Sequence, residues 1–374
     1  MPIFHYFARL AFMTNTNKEI SKKYENLSIK KIEKSQLEIS ASIPPSIWES
    51  ERKQALKNIN ETVSVDGFRK GNVPENILIG KVGQNVINEE MAELALSKVY
   101  IDILMDNKIE AIGKPDVQVI KLASGNPLEF KATTAILPEF KLPDYKKLAK
   151  TEVDKEAKKE IKIEDKDVDE AILKIRKSRA PHEGHDHDKM TPEEHEKAIM
   201  DSLPEFNDDF VRSLGNFKDI AEFKEKVREI VGQNKKDEAR EKLRIRISDA
   251  IVDEMTVDLP EIMIETELDR TQAQFTSDLE KMGVKMEDYL NHAKKTIEEI
   301  RKDWLPHAEK KAKLQLVLNA IATAEKITVD AKEIEDEVNH IVEHYKEADR
   351  ERASVYAETV LTNEKVFAML EGVK

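Results

Sequence analysis

The sequence predicts an α+β N-terminal domain followed by an extended, mainly α-helical, two-armed C-terminal domain. Within the first 140 or so residues, apolar side chains alternate with polar ones in three short segments, as they do in half-buried strands. From Leu203 to the C-terminus, apolar residues recur instead every three or four positions, as on one face of a helix. Aromatic residues make up only 6% of the chain, which argues against an all-β architecture.

The N-terminal domain is predicted to place two helices between its strands. Alternation predicts a strand over 37–43, a second over 117–119 and a third over 128–136. Helical spacing predicts one helix that begins at Ser46 and another over 87–104. Strands and helices in this order indicate an α+β domain whose two helices meet at the loop between them.

The C-terminal region carries several predicted helix boundaries. Pro260 begins a helix, and Asp330 with Glu333 forms a carboxylate version of a capping box before another. Pro306 is expected to kink or restart a helix, because proline has no backbone N–H to donate. The polar segment 232–235 is interpreted as separating two apolar stripes.

Composition divides the chain into six segments. Pro138, Pro143 and the charged run after them are typical of an extended linker. At the N-terminus, Met13 precedes a polar stretch and is an alternative translation start to Met1. The predicted segments are a disordered or misassigned extension (1–19), the α+β domain (20–140), the extended linker (141–164), a helix (165–180), a loop rich in histidine and acidic residues (181–202) and the helical domain with its arms (203–374).

Charge and composition exclude or disfavour several classes of protein. A formal net charge of −13 with 36% charged residues argues against a general nucleic-acid coat, although a local basic tip can still meet RNA. The chain has no cysteine, which excludes disulfides and thiol catalysis and fits a reducing cytosol. No stretch approaches the roughly 18 apolar residues that span a bilayer, and the first residues lack the basic region of a signal peptide.

One short loop combines an aromatic residue with two cations between glycines. It reads Gly67-Phe68-Arg69-Lys70-Gly71, and Pro74 follows. Gly67 and Gly71 can adopt positive φ without steric cost, and Pro74 fixes its own φ, so the turn should be short and shaped. Arginine and lysine bind phosphates or carboxylates, and an exposed phenylalanine is a rigid anchor for an interface. The pattern predicts a docking loop; a helix-loop-helix connection with an incidental phenylalanine is the alternative.

Residues 181–202 contain a cluster of possible metal ligands. The cluster consists of His182, His185, His187 and His195, with Glu183, Asp186 and Asp188 among them. Neutral imidazoles at such close spacing could hold zinc or nickel. A flexible site without rigid supporting contacts binds weakly, so a solvated acidic loop is the alternative, and no metal or other cofactor is predicted.

Four segments of the chain occur in an order found in one known family. They are Gly67 to Gly71 with Pro74, Ile163-Glu164-Asp165, Leu203-Pro204-Glu205-Phe206 and Val257-Asp258-Leu259-Pro260. Together with the domain order and the helical tail, these segments resemble trigger factor, a family of bacterial chaperones that bind nascent chains. The glycine loop is similar to the family's ribosome-docking signature.

The resemblance implies a docking site and a mechanism. The N-terminal domain would dock beside the polypeptide exit of the large ribosomal subunit, near protein and rRNA, through Gly67, Phe68, Arg69, Lys70, Gly71 and Pro74. The arms would hold nascent or unfolded chains in the cytoplasm without ATP, and a homodimer off the ribosome stays open. Four adaptable side chains are candidates for client contact, with ordinary helix packing as the alternative for each: Met255, Met263, Met282 and Met286.

The chain departs from the family in one large respect. Members usually carry a prolyl isomerase domain of the FK506-binding type after the helix over 165–180. Here only residues 181–202 separate that helix from Leu203, and they contain no aromatic residue for the pocket of such a domain. The chain is therefore interpreted as a non-enzyme. A helical holdase of the periplasmic two-armed type and a metal-binding protein that uses the histidine cluster are the alternatives.

Overall fold

The computed structural model describes residues 23–180, 192–345 and 348–373. The predicted extension 1–19, with both candidate start residues, lies outside these ranges, as do His182, His185 and His187. The described residues form a small antiparallel sheet near the N-terminus and helices in the rest of the chain, which confirms the predicted fold class.

The chain folds as two compact units whose boundaries differ from the predicted domains. The first unit consists of Met1–Pro143 with Glu254–Val366, and the second consists of Asp144–Asp253 with Phe367–Lys374. Residues 203–374 therefore contribute to both units, although the sequence treats them as one domain.

The sheet of the first unit has four antiparallel strands in the order β1-β2-β4-β3. The strands are β1 (Glu25–Ile32), β2 (Gln36–Ile43), β3 (Ala111–Lys121) and β4 (Leu128–Ile136). The predicted strands correspond to β2, β3 and β4. Sequence reasoning missed β1, because this edge strand is mostly exposed and carries Lys30 and Lys31, so it shows little apolar alternation.

Four helices follow or cover this sheet. They are α1 (Pro45–Trp48), which continues into a 3₁₀ turn (Glu49–Glu51), α2 (Arg52–Thr62), α3 (Glu75–Val82) and α4 (Gln84–Asp106). Buried residues of α4, among them Met91 and Val99, share one core with Ile39 of β2 and Phe130 of β4. Trp48 is fully buried in the same core, and its indole Nε1 donates to the carbonyl oxygen of Asn126 at 3.0 Å. This core fixes where α2 and α3 meet.

The first unit also contains helices from the second half of the chain. They are α10 (Glu261–Lys281), α11 (Met286–Ala293), α12 (Ile297–Ala324), α13 (Ala331–His344) and most of α14 (Arg350–Glu371). Pro260 is the N-cap of α10, and the capping box of Asp330 with Glu333 is present at α13, as predicted. The expected restart at Pro306 is wrong, because α12 continues through this residue.

Polar and close backbone contacts hold the sheet to these helices within the first unit. Ser35 lies between β1 and β2, is buried, and donates its hydroxyl to the carbonyl oxygen of Asp258 at 2.6 Å. Gly113 of β3 has φ 73°, and a Cβ atom at this position would lie 2.0 Å from Cδ1 of Ile262. Any other residue there would be strained by the positive φ and would push the end of the Ile262 side chain aside, so glycine lets this side chain of α10 pack directly against β3.

The second unit consists of five helices and the end of α14. The helices are α5 (Tyr145–Glu156), α6 (Asp165–Ser178), α7 (Pro192–Asp201), α8 (Asp208–Leu214) and α9 (Ile220–Asp253). A core of Val168, Ile172, Val211, Phe223 and Val227 joins α6, α8 and α9.

The predicted extended linker over 141–164 is wrong where α5 forms. Asp144 caps this helix by accepting from the backbone N–H of Lys147 at 3.1 Å. Ala149 and Glu152 are buried, and Arg246 of α9 pairs with Glu152 at 3.3 Å. The charged run is therefore a helix surface with an apolar and ion-paired face toward α9, which a count of charges does not distinguish from a linker.

Two other expectations in this unit are corrected. Residues 192–201 of the predicted loop 181–202 form α7, so His195 lies in a helix. The segment 232–235 does not interrupt α9, which is a continuous helix of 34 residues that includes this segment. A Cβ atom on Gly232 would lie 2.7 Å from Cδ1 of Ile163, so this glycine allows close packing rather than ending a helix.

None of the helices in the described ranges is both long and apolar enough to cross a membrane.

Candidate docking loop and exposed helical surface

The predicted docking loop connects α2 to α3 in the first unit. Gly67 has φ 83° and Gly71 has φ 86°, both in the left-handed region that glycine adopts without strain. A Cβ atom at either position would meet no atom within 4 Å, so the backbone angle rather than lack of space favours glycine. Pro74 is the N-cap of α3 with φ −58°, and it ends the loop.

The base of the loop is closed by one side chain that sequence reasoning missed. Asn60, in the last turn of α2, donates from Nδ2 to the carbonyl oxygen of Val73 at 2.8 Å and accepts from the N–H of Val73 at 3.0 Å. Its own carbonyl oxygen accepts from the N–H of Gly71 at 2.9 Å. Val73 is 4% exposed, so its backbone groups need protein partners. No spacing in the sequence marks this asparagine, because its partners are backbone atoms 13 residues away.

We expect Asn60→Ala to destabilise the loop base by about 1–3 kcal/mol, because it leaves both backbone groups of the buried Val73 without a partner. Urea unfolding measures the free energy, and hydrogen exchange of the Gly71 and Val73 amides reports the local opening. Asn58→Ala is the matched control, because Asn58 lies in the same helix but bonds only to side chains such as that of Glu90. Equal effects of the two variants would contradict the clamping role of Asn60.

The tip of the loop presents three predicted site residues together. The N–H of Phe68 donates to the carbonyl oxygen of Val65 at 3.1 Å, and the N–H of Asn72 donates to the carbonyl oxygen of Arg69 at 3.0 Å. The tip therefore consists of two successive hydrogen-bonded turns. Phe68 is 42% exposed, and Arg69 and Lys70 are exposed. Within the described ranges, no carboxylate forms an ion pair with either cation. The tip therefore offers an apolar ring and two uncompensated positive charges to a partner.

A cleft of about 620 Å³ lies beside the loop base. Three cations of α2 line it, namely Arg52, Lys53 and Lys57, and Gly71 and Val73 form part of its wall. Arg52 pairs with Glu75 of α3 at 3.0 Å. Glu61 and Glu75 also line the cleft, and Lys57 pairs with Glu61 at 4.0 Å, so the cleft carries charges of both signs.

The four candidate methionines do not lie in similar surroundings. Met255 and Met263 are 5% and 2% exposed, so they pack in the core and their prediction as client contacts is wrong for this structure. Met282, at the C-terminal end of α10, is 75% exposed, and Met286 at the start of α11 is half-buried. Helical spacing alone predicts all four equally, because it does not show which face of a helix is covered.

Three half-buried aromatic residues lie on α10, α11 and α12, in the region of the chain that contains Met282 and Met286. The ring of Phe275 on α10 packs edge-on against Tyr289 of α11, with centroids 5.0 Å apart, and against Trp304 of α12 at 5.4 Å. All three are half-buried. Aromatic and methionine side chains bind varied apolar groups, because rings offer large rigid faces and thioethers can change rotamer.

The described ranges contain no group of three or more histidine, cysteine or acidic residues arranged to hold a metal ion. Of the four histidines in the predicted cluster, His195 alone lies within the described helices. The zinc or nickel alternative for this cluster therefore stays a prediction.

Two family models match the sequence over both parts of the chain. The model of the bacterial trigger factor protein matches residues 25–175, which include the docking loop, and the model of the trigger factor C-terminus matches residues 219–370. The chain belongs to the trigger factor family. The resemblance in the sequence is thereby confirmed.

Individual relatives agree with this assignment to the trigger factor family. Trigger factor of Carboxydothermus hydrogenoformans is 25% identical over 87% of this chain and 92% of its own length. Those of Pelotomaculum thermopropionicum and Halalkalibacterium halodurans are 26% and 24% identical over 85% and 81% of this chain, and over 88% and 86% of their own. The first alignment spans 395 residues, more than the 374 of this chain, so that relative contains residues without a counterpart here.

A solved structure of a trigger factor, described as "Promiscuous Substrate Recognition in Folding and Assembly Activities of the Trigger Factor Chaperone", is similar in fold. It is 16% identical in sequence, with a TM-score of 0.50, and the comparison covers 93% of this chain and all of the other. The sequence and the fold of this chain are thus both those of trigger factor.

Proposed function

We propose that this chain docks on the ribosome through the 67–74 loop and holds nascent or unfolded polypeptides without ATP. As a member of the trigger factor family, the chain is a ribosome-associated chaperone. The observation that carries the docking proposal is the exposed tip of Phe68, Arg69 and Lys70 on a loop whose base is closed by Asn60. The cytoplasm follows as the proposed location, since the docking partner is the ribosome.

The loop is held in shape before binding, which suits docking on a rigid partner surface. A loop held by three hydrogen bonds at its base loses little further conformational entropy on binding, and this favours affinity. Phe68 supplies an apolar anchor, while Arg69 and Lys70 can pair with ribosomal carboxylates or with rRNA phosphates near the polypeptide exit. Because the chain has a net charge of −13, this attraction depends on the local basic surface.

Client holding is proposed for the exposed surface of α10, α11 and α12. Met282 and Met286 with the half-buried aromatic cluster can contact apolar groups of many sequences, and the charged residues around them keep the surface soluble. Because each contact is weak, a client can dissociate without ATP. When the chain is not bound to the ribosome, two copies could also pair through this surface as a homodimer. Analytical sedimentation at increasing protein concentration tests whether such a dimer forms.

We propose that the chain has no prolyl isomerase activity. The family models match no isomerase domain and leave residues 176–218 uncovered, and relatives contain residues that this chain lacks. In the described part of the uncovered range, α7 and α8 are short helices. The helical surface proposed for clients does not depend on such a domain.

The purified chain is expected to suppress the aggregation of a refolding protein without accelerating cis-trans isomerisation of a prolyl peptide. Light scattering measures the first property and a coupled peptide assay the second, with a prolyl isomerase of the FK506-binding type as the positive control. Isomerase activity that rises with chain concentration and persists through further purification would overturn the non-enzyme proposal. Loss of aggregation suppression would instead contradict the proposed client surface.

A further inference from the structure

Two histidines that do not belong to the cluster predicted in the sequence lie next to each other at the end of α13. His340 and His344 are four residues apart, so they project from the same face of the helix. Their ring centroids are 4.5 Å apart with an interplanar angle of 43°, and both residues are exposed. The chaperone function proposed above uses neither residue.

One hydrogen bond favours a ring orientation suited to a metal ligand. Nδ1 of His344 lies 3.0 Å from the carbonyl oxygen of His340. A carbonyl oxygen can only accept, so Nδ1 carries the proton and the neutral ring keeps a lone pair on Nε2. Histidines that bind metals commonly donate their other ring nitrogen to a backbone carbonyl in this way, because the bond fixes the tautomer and the ring.

The surrounding charges favour a cation at this position. His344 is the last residue of α13, and the carbonyl groups at a helix C-terminus carry partial negative charge. Asp336 precedes His340 by one turn on the same face, and Glu337 and Glu343 are also nearby in the sequence. Arg350 is the opposing charge, and its guanidinium donates to Asn339 Oδ1 at 3.0 Å.

We propose that His340 and His344 form a site for a divalent transition metal such as Zn²⁺, Ni²⁺ or Cu²⁺. The Nε2 atoms of the two rings are the protein ligands, and water completes the coordination. Imidazole suits these metals, while two protein ligands make the site weaker and more exchangeable than a structural zinc site with four. Because the unfolded chain does not hold the two rings together, binding stabilises the last turn of α13 and raises the melting temperature.

The test uses a full-length chain in which His182, His185, His187 and His195 are replaced by asparagine, so that the predicted cluster cannot contribute. Titration with NiCl₂ or ZnCl₂, followed by calorimetry and thermal unfolding, should detect one site in this chain. Adding His340→Asn and His344→Asn should weaken the affinity by about tenfold or more and remove the rise in melting temperature. Adding His292→Asn and His307→Asn, which change isolated histidines of α11 and α12, should leave both unchanged.

Two results would overturn the proposal. One is the absence of metal binding in the chain that lacks the cluster, and the other is unchanged binding after both α13 histidines are replaced. Circular dichroism checks that the variants fold, and His292, His307, His340 and His344 are all exposed. In the same chain without the four cluster histidines, labelled with ¹⁵N-histidine, substoichiometric Ni²⁺ should broaden the ring signals of His340 and His344 and spare those of His292 and His307. Broadening of the latter pair instead would also contradict the site.

Discussion

Replacing Phe68, Arg69 and Lys70 together with alanine is expected to abolish co-sedimentation of the chain with ribosomes. The variant removes the aromatic anchor and both uncompensated charges from the loop tip, and anchors of this kind supply most of the binding energy of an interface. The hydrogen bonds at the loop base involve other residues, so the loop keeps its shape. Raising the salt concentration should weaken the natural complex as well, because the two cations are exposed.

The same variant should leave the free energy of unfolding within about 0.5 kcal/mol of the natural value, since all three side chains are exposed. A matched control replaces Lys30, Lys31 and Ile32 of β1 with alanine, which also removes two cations and one exposed apolar side chain from the same unit. This control should still bind ribosomes. If the loop variant still pellets with ribosomes, the docking assignment is wrong; if both variants lose binding, the attraction is a general effect of charge.

Met263→Ala is expected to cost about 2–5 kcal/mol of stability, whereas Met282→Ala should cost about 0.5 kcal/mol or less. Met263 is 2% exposed, so truncation leaves a cavity and removes dispersion contacts. Met282 is 75% exposed and makes few contacts to lose. Urea unfolding of the two variants measures the difference, and equal costs would contradict the positions of these side chains.

The double variant Met282→Ser and Met286→Ser tests whether the exposed surface binds clients. Its aggregation suppression should fall while its stability changes little, because Met282 is exposed and Met286 is half-buried. The control replaces Thr276 and Ser277, two half-buried polar residues of α10, with alanine and should suppress aggregation normally. Undiminished suppression by the methionine variant would place the client contacts elsewhere.

Local patterns in the sequence were enough to predict the features that depend on neighbouring residues. The alternation of Leu37, Ile39 and Ala41 predicted β2, because side chains of a strand point alternately to the core and to solvent. Asp330 and Glu333 predicted the capping box of α13, since both of its hydrogen bonds lie within one turn. The glycines of the docking loop predicted its positive φ angles in the same way.

Family membership was also available from the sequence, because the docking motif and the order of the segments are properties of the chain itself. The arrangement of the candidate site was available only in part. The motif identified Phe68, Arg69 and Lys70, but Asn60 closes the loop through backbone atoms distant in sequence. Such a pair becomes visible only when α2 and the loop are placed in space.

The tertiary structure alone decided which charged and apolar residues face another element. The run after Pro143 became α5 because α9 supplies a surface for Ala149 and an arginine for Glu152, although its composition is that of a linker. Gly232 lies within the continuous helix α9, and Cδ1 of Ile163 lies 2.7 Å from where its Cβ atom would be, a contact that the sequence does not reveal. Met263 lies in α10 and Met282 directly follows it, yet the first methionine is buried and the second is exposed, because burial depends on what the rest of the chain covers.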